Sequence, residues 1–117
     1  MSFMIQNGVL IRFEGTDSEV VVPDGVTAIG QRAFFAFPSN KTLRSVVIPE
    51  GVEEIGKEAF YECVNLERVV FPSTLKRIGE KAFSGCVSAV DFQIPEGVEL
   101  LGNLVFYRRR RSIFLRG

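Results

Sequence analysis

Short stretches in which every second residue is apolar alternate along this chain with stretches rich in proline, glycine and charge. Three of these alternating stretches carry their apolar residues in pairs at period two: Val46 and Ile48, Val69 and Phe71, and Phe92 and Ile94. This period is expected of a β-strand with one buried face. A proline follows each pair and ends the strand, because proline has no N–H to donate. The pattern therefore predicts a series of short strands.

The same pattern recurs at a nearly constant interval. Four prolines, separated by 26, 23 and 23 residues, mark it: Pro23, Pro49, Pro72 and Pro95. Each opens a related segment, namely P-D-G-V-T-A-I-G-Q-R-A-F, P-E-G-V-E-E-I-G-K-E-A-F, P-S-T-L-K-R-I-G-E-K-A-F and P-E-G-V-E-L-L-G-N-L-V-F. A strand and a turn in 23 residues cannot enclose a core alone, so the four copies indicate units that stack on one another.

Two local structures are predicted after each proline. The first is a β-turn with proline at its second position and glycine at its fourth. Thr74 takes the place of the glycine in the third copy. A type I turn tolerates threonine at that position, so type I is predicted. The second is a short helical turn, because apolar residues follow at i, i+4, i+5 and i+8. In the second copy these apolar residues are Ile55, Ala59, Phe60 and Cys63.

A glycine also recurs at one position of every unit: Gly30, Gly56, Gly79 and Gly102. It indicates either a positive φ or a close approach between neighbouring coils.

The two ends of the chain depart from the repeat. Near the N-terminus, two apolar runs are joined by Asn7-Gly8, which is the strongest short signal for a β-hairpin. Such a hairpin would cover the open edge of the first coil. In the last copy Leu101 replaces isoleucine and Val105 replaces alanine, as expected of a terminal repeat.

We therefore predict a single domain over residues 1–117 with an α/β repeat fold. It is a right-handed solenoid of the leucine-rich-repeat type, with short parallel strands, helical turns and an N-terminal β-hairpin cap. Its parts are the hairpin and first strand (1–22), three repeats (23–48, 49–71 and 72–94), a degenerate last repeat (95–107) and a basic tail (108–117).

These residues resemble the BspA-like family of leucine-rich repeats, whose unit reads L-x-x-V-x-I-P-x-x-V-x-x-I-G-x-x-A-F-x-x-C-x-x-L. The fullest match runs from Leu43 to Leu66 and includes Pro49, Gly56 and Cys63. The opening N-G-V-L-I-R-F-E-G is also similar to the family's usual N-terminal unit. The resemblance implies adhesion or protein binding, since family members are often bacterial or protist surface proteins.

Candidate chemistry is sparse. The chain has two cysteines and no histidine, which leaves too few ligands for an ordinary zinc site and no imidazole base for a nucleophilic thiol. Cys63 and Cys86 fall at core-facing positions of neighbouring units, so we expect them to pack in the core, while a disulfide between them stays open. We predict no enzyme and no catalytic, metal-binding or cofactor-binding residue.

The strand face is the predicted recognition surface, because solenoids present an extended sheet to their partners. Its outward positions are Val21, Ser45, Val47, Arg68, Val70, Asp91 and Gln93. The three valines would form an exposed apolar stripe, although valine is also simply a good strand former. We predict an unidentified protein partner on this face. The alternative is a structural unit that self-associates through its coil ends as a homo-oligomer.

Charge adds one further feature. The chain has 14 basic and 14 acidic residues, so its net charge does not favour binding to nucleic acid, and we do not expect such binding. Only the run Arg108–Arg111 argues for it. This tail is predicted to be solvated, or to fold back over the last coil through Phe114 and its neighbours. No transmembrane segment and no signal peptide are predicted. The cytoplasm is the default location, and the cell surface or exterior applies if an export signal has been removed.

Overall fold

The computed structural model describes residues 2–35, 41–106 and 114–115, and these residues form a solenoid of about four coils between two sheets. The six-stranded sheet has the order β1 (Ser2–Gln6), β2 (Val9–Glu14), β4 (Ala28–Ile29), β6 (Glu54–Ile55), β8 (Arg77–Ile78) and β10 (Leu100–Leu101). The five-stranded sheet has the order β11 (Phe114–Leu115), β9 (Asp91–Ile94), β7 (Arg68–Val70), β5 (Ser45–Val47) and β3 (Glu19–Val21).

The N-terminal hairpin forms as predicted. Strands β1 and β2 pair antiparallel, and Asn7 and Gly8 between them have φ values of 52° and 79°. Two consecutive positive φ values are what a tight hairpin turn needs to match the twist of its strands. Since β2 also pairs in parallel with β4, the hairpin covers the edge of the first coil and leaves β1 outermost.

The period-two strands are also confirmed. Strands β3, β5 and β7 pair in parallel, with Val20, Val46 and Val69 directly aligned and buried. Their inward side chains meet those of the six-stranded sheet in one apolar core. Parallel alignment follows from the repeat, because equivalent residues of successive coils lie side by side.

The predicted helical turns are wrong, since the described residues contain no helix. Ile55 lies in the short strand β6 instead. Beyond it, the N–H groups of Glu58 and Phe60 donate to carbonyls of the next coil, at 2.9 and 2.8 Å. Between them, the Ala59 N–H closes a turn on the carbonyl of Gly56, three residues earlier. The apolar spacing that fits a helix fits this chain of turns equally well.

The turn after each proline also differs from its prediction. The N–H of Val52 donates to the carbonyl of Pro49 at 3.4 Å, so proline is the first residue of the turn and glycine the third. Gly51 has a φ of 105°, as a type II turn requires at its third position. Gly25 has a φ of 93°, whereas Thr74 and Gly97 are not among the residues with positive φ, so the third and fourth copies use a different turn at this point.

The recurrent glycines mark a close approach of neighbouring coils. A Cβ on Gly56 would lie 2.9 Å from the nitrogen of Gln31, and one on Gly79 would lie 2.7 Å from the nitrogen of Lys57. Neither glycine has a positive φ. Of the two roles predicted for this position, close packing is therefore confirmed.

A ladder of aromatic rings fills the core. Phe13, Phe34, Phe60 and Phe83 are fully buried, one from the hairpin and one from each successive coil. Their ring centroids are 5.4, 4.7 and 5.0 Å apart along the solenoid. The stacked rings keep neighbouring coils in register within the core, and strand pairing in the two sheets keeps them in register on either side of it.

Candidate functional site

The outward valines of the five-stranded sheet lie in one line. Val21 is aligned with Val47, and Val47 with Val70, in successive parallel pairs. Their exposed fractions are 67%, 37% and 47%, which are high for aliphatic side chains. Each is the last residue of its strand and follows a buried valine of that strand, so the backbone beneath it is anchored to the core. We call these three residues the valine stripe.

Polar residues border the valine stripe on the same sheet. Ser45, Arg68 and Asp91 are aligned in a row two residues before it. Gln93 continues the line of the stripe beyond Val70, and its side chain is exposed. The fold thus brings all seven sequence-predicted residues onto one sheet, although the Asp91 side chain is outside the described part of the structure.

Glu19 belongs to the same polar row and was not predicted. It is exposed and aligned with Ser45. The signal was present in the sequence, because E-V-V at 19–21 occupies the place of S-V-V at 45–47 and R-V-V at 68–70.

A groove of about 490 Å³ lies beside the stripe, where the strands end and the proline turns begin. It is lined by Val70, Phe71, Gln93, Pro95, Val69, Glu50 and Ser73. The Glu50 carboxylate accepts hydrogen bonds from the Ser73 hydroxyl and N–H, at 2.6 and 2.8 Å. These bonds lower the pKa of Glu50 below its usual value and hold its carboxylate in place in the groove. Sequence reasoning assigned neither residue to the recognition surface.

A smaller and more polar groove of about 290 Å³ lies at the opposite end of the strands. Its lining includes Glu19, Ser45 and Arg68 from the polar row, together with Arg44 and Glu67. Arg44 and Glu67 form an ion pair at 3.2 Å between neighbouring coils. Both residues are largely exposed, so the pair contributes little to stability and leaves polar groups available at the rim of the stripe.

The cysteines take no part in this surface. Cys63 and Cys86 are buried and form no disulfide, and their Sγ atoms donate to the carbonyls of Phe34 and Phe60. Burial raises the pKa of Cys63 to about 12, which keeps it protonated and unreactive near neutral pH. The predicted core-packing role is confirmed for both residues.

Other candidate features lie partly outside the structure. Within residues 2–35 and 41–106, no cluster of three or more acidic or cysteine side chains is arranged to hold a metal ion. No helix long and apolar enough to cross a membrane occurs in the same ranges. Arg108–Arg111 lies outside the described residues, whereas the backbone of Phe114 and Leu115 pairs in parallel with β9. That part of the tail folds back onto the last coil.

A second apolar surface lies at the C-terminal end of the solenoid. Leu100 and Leu101 of β10 and Leu104 in the following turn are exposed to 60%, 42% and 50%. Strand β10 is the edge of the six-stranded sheet opposite the hairpin. We call these three leucines the coil end.

The repeated sequence that builds these stacked coils identifies the family. The sequence profile of the BspA type leucine-rich repeat region matches residues 12–114, in six copies. The chain belongs to the BspA-type leucine-rich repeat family. BspA-type and other leucine-rich repeats generally serve as binding modules or surface proteins rather than as enzymes.

Solved structures of bacterial repeat proteins have the same fold as this BspA-type chain. A leucine-rich repeat protein from Bacteroides capillosus is 26% identical, with a TM-score of 0.79 over 93% of this chain and 86% of that one. A leucine-rich cell surface protein from Faecalibacterium prausnitzii is 26% identical, with a TM-score of 0.73. This chain is covered to 97% in that comparison but spans only 40% of the Faecalibacterium protein.

The pneumococcal vaccine antigen PcpA shares the fold at a TM-score of 0.81 and 24% identity. The match covers 97% of this BspA-type chain and 28% of PcpA. No curated protein matches the sequence.

Proposed function

We propose that this protein binds a protein partner in an adhesion-type contact through the valine stripe and its polar borders. The observation that carries the proposal is the alignment of Val21, Val47 and Val70, exposed in three successive coils. Outward positions of a half-buried sheet are usually polar, and contiguous exposed apolar patches mark interaction sites.

The surroundings of the stripe support the proposal. Protein interfaces combine an apolar centre with a polar, hydrated rim. The stripe supplies the centre, and the two grooves supply a rim with Glu50 on one side and the Arg44–Glu67 pair on the other. Because neighbouring strands fix the stripe's backbone, binding loses little conformational entropy on this side of the contact.

The test is affinity capture from a lysate and a surface fraction of the source organism. The native protein is compared with the Val47→Glu, Val70→Glu double variant, which places two charges on the stripe. Val64→Glu is the matched control, because Val64 is 41% exposed but lies in a turn outside the five-stranded sheet. Far-UV circular dichroism and thermal melting establish that each variant is folded.

A partner retained by the native protein and by Val64→Glu, but lost by the double variant, supports the stripe as the site. A partner retained equally by all three proteins rules the stripe out as its binding site. Recovery of the protein's own chain alone favours the second candidate.

The second candidate is a structural unit that self-associates through its ends. The coil end favours it, because Leu100 and Leu101 on the edge strand of the six-stranded sheet and Leu104 in the turn after it are exposed. Terminal repeats of soluble solenoids usually present a polar outer face. The molar mass of the protein as a function of concentration tests this candidate, since a binding module without self-association stays monomeric throughout.

A further inference from the structure

We infer that the larger groove beside the valine stripe binds an arginine side chain of the protein partner, with the Glu50 carboxylate as its counter-ion. The inference rests on the proposed function, because the groove adjoins the valine stripe and shares Val70 with it. It goes further by naming the residue type that the partner inserts. We call this space, between Glu50, Phe71 and Pro95, the turn groove.

The third unit departs from the repeat where the turn groove lies. In the other three units the residue before the proline is aliphatic and buried: Val22, Ile48 and Ile94. In the third unit it is Phe71, which is only half-buried and lines the groove. After the proline, Ser73 and Thr74 take the place of an acidic residue and glycine. The exchanges on both sides of this proline therefore change the groove rather than a distant part of the coil.

Both polar side chains of the third turn hold the turn of the preceding coil. The Thr74 hydroxyl donates to the Val52 carbonyl at 2.7 Å and accepts the Gly51 N–H at 3.0 Å. The Ser73 hydroxyl and N–H donate to the two carboxylate oxygens of Glu50. The head group of Glu50 is therefore positioned before a ligand binds, which reduces the entropy that binding costs.

The charge of Glu50 is not balanced within the described part of the chain. There Glu50 forms no ion pair, and no other residue that lines the turn groove is charged. Other glutamates of the solenoid do pair with a basic side chain of an adjacent coil: Glu54 with Arg77, Glu67 with Arg44, and Glu80 with Lys57. A carboxylate oxygen has two lone pairs, and Ser73 uses one on each oxygen. Glu50 can therefore accept further hydrogen bonds from a cation outside the chain.

The walls of the turn groove fit the rest of an arginine side chain. Val70, Phe71 and Pro95 offer apolar surface to its methylene stem. A guanidinium stacks on aromatic rings and is more weakly hydrated than an ammonium group, so Phe71 favours arginine over lysine. The volume of about 490 Å³ lies in the range of pockets that enclose small ligands, roughly 300–1,000 Å³, and so admits one long side chain.

NMR titration of the isotope-labelled full chain with a defined peptide tests the site. The probe is acetyl-Leu-Arg-Leu-amide, whose leucines represent the apolar part of the partner. In a control peptide citrulline replaces the arginine, which keeps the shape and removes the charge. The arginine peptide should shift the amide signals of Gly51, Val70 and Ser73 to saturation. The citrulline peptide should bind about tenfold more weakly, because it lacks a charge-assisted bond to Glu50.

Variants of the protein test which carboxylate binds the peptide. Glu50→Gln should weaken binding of the arginine peptide about tenfold, to the level of the citrulline peptide. Asp24→Asn is the matched control, because Asp24 is exposed at the equivalent place of the first turn but does not line the groove. It should leave the affinity unchanged. Ser73→Ala keeps the charge and removes the hydroxyl that positions it, so it should weaken binding about two- to threefold.

Three outcomes would overturn the inference: equal affinity for the arginine and citrulline peptides, equal weakening by Glu50→Gln and Asp24→Asn, or no saturable shift at the groove up to the solubility limit of the peptide. The proposed function is judged separately, by capture with the Val47→Glu, Val70→Glu variant. Peptide binding at the groove together with a partner that this variant still captures would retain the arginine site and reject the stripe. A partner that needs the stripe, with no binding of the peptide, would retain the stripe and reject the arginine site.

Discussion

Alanine at Gly79 tests whether the contact between coil backbones sets the spacing of the repeat. The added Cβ would lie 2.7 Å from the nitrogen of Lys57 and 2.8 Å from the carbonyl carbon of Gly56, both in the preceding coil. Neither atom belongs to a side chain that can rotate away. Gly79 itself is held in place, because its N–H donates to the Ile55 carbonyl at 2.7 Å.

The expected loss of stability follows from this geometry. Inserting a methyl group into a packed interior typically costs about 1–3 kcal/mol. Because backbone surrounds this position and the hydrogen-bonded ladder resists displacement, we expect the upper end, about 3 kcal/mol. Gly97→Ala is the matched control, since its nearest neighbours are carbonyl oxygens 3.7 Å away and its φ is not positive. That change should be neutral, or stabilise by up to about 1 kcal/mol through the unfolded chain.

Urea unfolding followed by far-UV circular dichroism measures both free energies of unfolding. The slope with denaturant should be the same for the native protein and the two variants, so that the midpoints report stability alone. A loss below about 1 kcal/mol for Gly79→Ala, or an equal loss for Gly97→Ala, would refute the argument that close backbone packing determines the coil spacing.

Three further predictions concern the core and the groove. Phe60→Ala removes a ring stacked at 4.7 and 5.0 Å between two others and should cost about 3–5 kcal/mol in the same urea assay, with Phe60→Leu costing clearly less. The pKa of Cys63 is raised from 9.0 to about 12, so the unfolded chain releases this proton first as pH rises. Stability should therefore fall between pH 9 and 12, by up to about 1.4 kcal/mol per pH unit, and Cys63→Ala should lessen that fall in unfolding measured across the same range. Ser73→Ala removes the hydroxyl bond that lowers the pKa of Glu50, so the value measured by NMR titration should rise toward 4.5; an unchanged titration would contradict the bond.

The strands and the cap could be predicted because their signals are local. Apolar residues at every second position, such as Val46 and Ile48, specify which face of a strand is buried, and this signal does not depend on which residues pack against that face. Asn7-Gly8 specifies a turn, because few residues other than asparagine and glycine adopt positive φ easily. The repeat then aligns equivalent strands of neighbouring coils, which is why the residues predicted for the recognition surface lie on one sheet.

The turns could not be predicted because their conformation depends on the neighbouring coil. Glu58 and Glu62 have positive φ, at 55° and 61°, and nothing in a glutamate signals this. Their N–H groups bond to carbonyls of the next coil, so the stacking itself stabilises the backbone there. The groove at Glu50 and Ser73 was missed for the same reason, since it joins turns 23 residues apart.

The bonds that hold each coil run only to the coils on either side, so the core does not fix how many coils there are. Duplicating residues 49–71 in tandem would insert one more ring into the aromatic ladder and one more valine into the stripe, while leaving the hairpin and the leucine-bearing end as they are. Repeat duplication during evolution can therefore lengthen the valine stripe without changing the residues at the two ends of the solenoid. The number of copies then sets the size of the proposed partner-binding surface.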